Sequence, residues 1–132
     1  MSEENVERAH RAFDAFNRRD VAAFLELTDS EVETATDLVS VEGHPYRGHS
    51  GVRDWFRDLL AVFPDFHAEM LEARDHGDFV IALLRRSAHG LDSGTPIEET
   101  VWQASEWRNG RVLWWKIFAT EAEALEAAGL SE

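Results

Sequence analysis

Cysteine is absent from the 132 residues, which excludes disulfides, thiolate catalysis and Cys-based zinc sites and leaves the redox compartment open. Long apolar runs are also missing, so no segment is built to cross a bilayer, and the opening "MSEENVERAHRAF" is charged from its third residue, unlike a signal peptide. A soluble cytoplasmic protein is therefore expected. Lys and Arg nowhere accumulate; acids outnumber them 26 to 13, for a net charge of -13. That balance argues against nucleic acid or an anionic membrane as partner. No GxSxG turn, Gly-rich phosphate cradle, dinucleotide fingerprint or HExxH helix occurs. His67-x-Glu69 and the pair His44 and His49 have no metal-specific spacing, so neither metal nor cofactor is expected.

Apolar residues make up 44% and charged residues 30%, a globular balance in a chain of one-domain length, so residues 1–132 are expected to form one domain. Val6, Ala9, Phe13 and Phe16 recur at helical spacing and predict a helix over 3–18. Asp20 caps a second helix burying Phe24, Leu25 and Leu27. "EVETATDL" is rich in β-branched residues and predicts a strand near 31–37. Ser50 is the expected cap of a third helix, with Val52, Trp55, Phe56, Leu59, Leu60 and Phe63 on its apolar face and Pro64 as its stop. Long strands follow over 65–75, 78–89, 97–107 and 111–119, with Asn109-Gly110 as a hairpin turn. Thr120-x-x-Glu123 has the form of a capping box for a last helix ending at Gly129. The order α-α-β-α-β-β-β-β-α is that of an α+β domain in which a curved sheet wraps helices and leaves a cone open to a small molecule.

This order, with "AFDAFNRRDVAAFLELTDSEVE", "YRGHSGVRDWF", "EWRNGRV" and the closing "EAEALEAAGL", resembles the SnoaL-like branch of the nuclear transport factor 2-like (NTF2-like) superfamily. The resemblance implies a cone formed by a strongly curved, mostly antiparallel sheet. It does not select a reaction, because the superfamily holds isomerases, polyketide cyclases, dehydratases and epoxide hydrolases. Where ketosteroid isomerases of the superfamily carry a base and two oxyanion donors, the alignment puts Ala35, Ala12 and Gln103, which argues against that activity.

The same alignment implies which side chains face the cone: Leu83, Arg85, Ser87 and His89; Val101, Gln103 and Ser105; Leu113, Trp115 and Ile117; and Glu33 and Asp37 beside Ala35. Asp37 or Glu33 is then the candidate base, with Arg85 and Gln103 as oxyanion donors. Phe16, Tyr46, Phe56 and Trp115 are the expected apolar walls. His44 and Tyr46 lie in the loop that often closes the mouth in this family. The expected activity is cofactor-independent proton transfer, an isomerisation, cyclisation or dehydration, on a small hydrophobic molecule bearing oxygen. A limonene-type epoxide hydrolase using Arg85, Glu33 and Asp37 is the alternative enzyme. A non-catalytic binding or dimerisation module is the other alternative, expected if Phe16, Phe56 and Trp115 fill the cone and Arg85 stays outside.

"RVLWWKIF" carries adjacent tryptophans, and adjacent strand residues point to opposite faces. Trp115 is expected in the cone. Trp114, with Trp102, Lys116 and Phe118, is expected on the outer face as the interface of a homodimer packed sheet against sheet, with cover by the C-terminal helix as the alternative.

Overall fold

The computed structural model describes residues 2–35, 45–89 and 96–130, without side chains at positions 2, 3 and 35. The first helix, α1 (Ser2–Asn17), buries Ala9, Ala12 and Phe16 on one stripe. Its last residue ties it to the sheet: the Asn17 amide donates to the Ala68 carbonyl at 2.8 Å and accepts the Ala68 N–H at 3.1 Å. Asp20 caps α2 (Val21–Glu26), accepting from the Ala23 N–H at 3.0 Å, as its sequence position predicts.

Strand β1 (Thr28–Ala35) pairs with a two-residue strand, β2 (Tyr46–Arg47), that the sequence pattern did not announce. This pairing holds the chain extended through Arg47. Helix α3 (Gly48–Val62) therefore starts at Gly48, whose φ of 70° turns the backbone, and not at Ser50; Arg47 occupies the cap position without a side-chain cap bond. The long strands are β3 (His67–His76), β4 (Phe79–His89), β5 (Pro96–Arg108) and β6 (Arg111–Phe118), and α4 (Glu121–Ala127) closes the described chain. The six-stranded sheet runs β2-β1-β6-β5-β4-β3, antiparallel except where β1 pairs with β6. Helices α1 and α3 pack on one face and α4 on the other. No helix among the described residues is long and apolar enough to cross a membrane.

Register decides which side chains reach the helix-covered face. Directly paired residues share a face, and Gln103 pairs with Ala82, Val101 with Leu84 and Glu99 with Arg86. With Gln103 facing α1, Ala82, Leu84 and Arg86 must face it too. Leu83, Arg85, Ser87 and His89 point the other way, one residue out of the expected register. The slip was invisible in "FVIALLRRSAH" because α4 covers the opposite face at Val80, Ile81 and Ala82, which are all buried, and the alternation of burial from Ala82 to His89 is hidden in "LLRRS" by like residues side by side. In β1, Thr34 pairs with Trp115 and Glu33 with Trp114. Trp115 therefore carries Thr34 inward, and Glu33 turns outward to bind Arg47 at 2.8 Å. A bulge at Glu106/Trp107 shifts β6 by one, so Val112 and not Leu113 faces in.

Candidate functional site

Between α1, α3 and the sheet lies a chamber of about 80 Å³. At roughly 10–15 Å³ per water that is about half a dozen waters, or one ring with a short substituent. Phe13 and Phe16 of α1, Trp55 of α3, and Trp115 and Ile117 of β6 give it mostly apolar walls. Its polar lining comes from Thr34, Arg86, Gln103 and Ser105.

Arg86 dominates these groups. Its side chain is 4% exposed, and Nη2 donates to Glu99 Oε2 at 2.6 Å from across the β4–β5 pair. Glu99 is itself 37% exposed, so the pair runs from the protein interior to its surface. A guanidinium this deep is costly unless paired, and a charge-assisted bond of this length is of the strong kind. Ser105 accepts the Trp107 indole N–H at 3.0 Å and donates to the Val80 carbonyl at 3.4 Å, while Thr34 donates to the Trp115 carbonyl at 3.1 Å.

Of the residues expected to face the cone, Phe16, Gln103, Ser105, Trp115 and Ile117 line the chamber. Val101 packs beside it with Ala82 and Leu84. Phe56 belongs to the aromatic cluster at its side, with ring centroids 5.2 Å from both Phe16 and Phe24. Trp55 stands 5.3 Å from Phe16 and from Trp115. These rings fill part of the cone, and the 80 Å³ chamber is what they leave.

Other expectations are corrected by the structure. Arg85 is on the outer face, exposed and bound to Glu98 at 2.8 Å, so the inward arginine is its neighbour. Leu83 is paired with outward-facing Trp102. Glu33 reaches Arg47 and not the chamber, so the Arg85, Glu33 and Asp37 constellation of an epoxide hydrolase is not assembled by its first two members. His89 sits exposed at the end of β4; Asp65 accepts both its backbone N–H at 2.9 Å and Nδ1 at 2.8 Å, and the backbone bond is the main cause holding the Asp65 carboxyl below its usual range. Tyr46 is buried but does not line the chamber, and its hydroxyl donates to Asp58 at 2.9 Å. Burial first, and that bond second, push the phenol up to about 12. Asp37 and His44 lie outside the described residues. Arg86, Thr34, Phe13 and Trp55 are lining residues that sequence reasoning missed; an inward Gln103 plus the β4–β5 pairing register is the signal that identifies Arg86 and its partner Glu99.

The outer sheet face is not bare. Ala124, Leu125 and Ala128 of α4 and its C-terminal turn pack on Ile81 and Ala104, with Phe79, Trp102, Trp114 and Phe118 partly buried around them. Trp114 donates to Glu106 at 2.7 Å, and the Lys116 ammonium stands 5.6 Å from the Trp114 ring centroid. Among the described residues no three His, Cys, Asp or Glu side chains gather into a group able to hold a metal ion.

A family model described as a SnoaL-like domain matches residues 9–115. A comparison with curated proteins finds no match. Among solved structures, an NTF2-like protein of unknown function from Burkholderia pseudomallei is 20% identical, with a TM-score of 0.78 over 96% of this chain and 97% of that one. IdmH of Streptomyces antibioticus, a proposed polyketide cyclase, is 22% identical, with a TM-score of 0.74 over 96% and 99%. TerC, co-crystallised with polyporic acid, is 18% identical, with a TM-score of 0.76 over 93% and 96%. At these identities the likeness establishes the fold.

Proposed function

The chain belongs to the SnoaL-like domain family, and we propose that it takes up a small, mostly apolar molecule bearing an oxygen and moves a proton on it without a cofactor. The observation that carries this reading is Arg86: a guanidinium buried to 4% exposure, salt-bridged, lining a mostly apolar chamber on the same sheet face as Gln103. Apolar side chains of similar volume could fill such a position with no loss of stability, so the buried charge supports a role toward a ligand. Arg86 and Gln103 are the groups suited to polarise a ligand oxygen. Glu99, oriented by Arg86, is the proposed proton carrier, with Asp37 as a second candidate. Phe13, Phe16, Trp55 and Trp115 would hold the apolar part. Isomerisation, cyclisation and dehydration all fit this inventory, and the description of IdmH as a proposed polyketide cyclase lends support to cyclisation.

The test uses acetophenone in deuterated buffer, with proton NMR following exchange of the methyl hydrogens next to the carbonyl. The protein is expected to accelerate exchange, Glu99→Gln to slow it at least about tenfold while retaining binding, and Arg86→Met to weaken both. Binding with no accelerated exchange would favour a second reading, a binding module without chemistry. The packing of Phe16, Phe24, Trp55, Phe56 and Trp115 on one another is the observation on that side. Absence of binding would overturn the proposal as a whole.

A further inference from the structure

If the chamber takes a ligand oxygen, as proposed above, one of its polar side chains also selects what stands beside that oxygen. Thr34 and Ser105 spend their hydrogens on backbone carbonyls, and Ser105 takes the Trp107 indole N–H. Glu99 holds Arg86 Nη2 at 2.6 Å. A ligand carboxylate would therefore meet a cation that already has its anion, in a chain whose net charge is -13. A neutral ligand meets no such cost.

Gln103 stands apart from this set. It lines the chamber, half-buried, between Ala82 of β4 and Ile117 of β6, which share its face of the sheet. Neither the oxygen nor the nitrogen of its amide has a hydrogen-bond partner among the described residues, and neither is sealed from solvent. The amide thus turns an open acceptor and an open donor to the chamber. A ligand that displaces water from it must replace both bonds or leave one atom of the amide unmet, and an unmet polar atom among apolar walls is costly. A ketone or an ester answers the amide nitrogen and strands the oxygen. A ring whose N–H lies beside its carbonyl answers both, its oxygen accepting from the Gln103 nitrogen while its N–H donates to the Gln103 oxygen. We propose that the ligand is a neutral single-ring molecule with a hydrogen-bond donor beside its carbonyl, of the cyclic-amide kind, and that Gln103 selects it by pairing with both groups.

Isothermal titration of the full chain with δ-valerolactam and δ-valerolactone, the same ring with oxygen in place of N–H, separates the outcomes. The lactam is expected to bind about fivefold more tightly, the effect of one further hydrogen bond. Gln103→Leu is expected to weaken both rings, the lactam more, and to bring the two within about twofold of each other. A second readout needs no variant. Gln103 is the single glutamine of the chain, so carbon NMR of protein labelled at glutamine reads its amide directly. The amide carbonyl signal is expected to move downfield with the lactam, which donates to it, and not with the lactone. Equal binding of the two rings, a preference that survives Gln103→Leu, or a Gln103 carbonyl signal that the lactam does not move would overturn this selection and leave the chamber a ligand site. Binding of acetophenone but of neither ring would do the same. Failure of both rings and of acetophenone to bind would overturn the proposed function as well.

Discussion

Tyr46 is the single tyrosine of the chain, so its ionisation can be followed at 295 nm. Folding moves the phenol from 10.0 to about 12, which favours the neutral form in the native state. The stability this carries is complete below about pH 10 and is lost as pH climbs through about 12. Asp58→Asn is expected to bring the midpoint down part of the way, because burial remains the larger cause. A midpoint unchanged by that substitution would show that the Tyr46–Asp58 bond is not formed. The Arg86–Glu99 pair yields a second prediction from unequal burial. Removing Glu99 takes a charged partner from a guanidinium only 4% exposed, whereas Arg86→Met leaves a carboxylate already 37% exposed. Urea unfolding should show Glu99→Ala costing more than Arg86→Met, about 2 kcal/mol against about 1 kcal/mol or less. At this scale the sequence read Phe16, Gln103 and Trp115 into the chamber, yet chose the wrong one of two adjacent arginines. Nothing in "LLRRS" itself distinguishes Arg85 from Arg86; their faces are set by partners on β5, far away in the chain.

Elements were more legible than faces because their ends are written locally. Asp20 caps α2, Thr120 and Glu123 form the reciprocal capping box of α4, and Asn109 and Gly110 take the positive φ values of 53° and 79° that their hairpin turn requires. The two-residue β2 escaped notice because its pairing with β1 is a tertiary event, and it moved the start of α3 to Gly48. The α4 cap matters beyond its own helix, since α4 covers the outer aromatic face. Thr120→Ala is expected to cost about 1 kcal/mol and to red-shift tryptophan emission as Trp102 and Trp114 become wetter. An unchanged spectrum at equal loss of stability would mean that the helix stays seated without its cap. At the other end of the sheet, Asn17→Ala removes both bonds between α1 and Ala68. Chemical denaturation should register about 2 kcal/mol for the pair; a change below about 0.5 kcal/mol would mean that water replaces them at no net cost.

The whole molecule joins a fold that the sequence anticipated to a chamber smaller than an empty cone. The α+β order and the family were readable because helix period, strand run and turn residues all agreed. The interior volume was not readable, since it depends on how far the rings of Phe16, Phe24, Trp55, Phe56 and Trp115 fill the cone. The homodimer through Trp102, Trp114, Lys116 and Phe118 is carried forward as a proposal. With α4 seated on part of that face, any such interface would have to include α4 itself. Sedimentation should give twice the mass of 15.0 kDa for the native chain, shifting toward monomer on Trp114→Lys; a monomer at micromolar concentration would remove the proposal. The central claim, that Arg86 and Gln103 line a chamber open to a small oxygen-bearing molecule, is tested most directly by a crystal soaked with acetophenone. The expected result is the ring between Phe13, Phe16 and Trp115, with its oxygen within hydrogen-bonding distance of Arg86 or Gln103. A chamber left empty at saturating ketone, or closed by its own aromatic side chains, would contradict it.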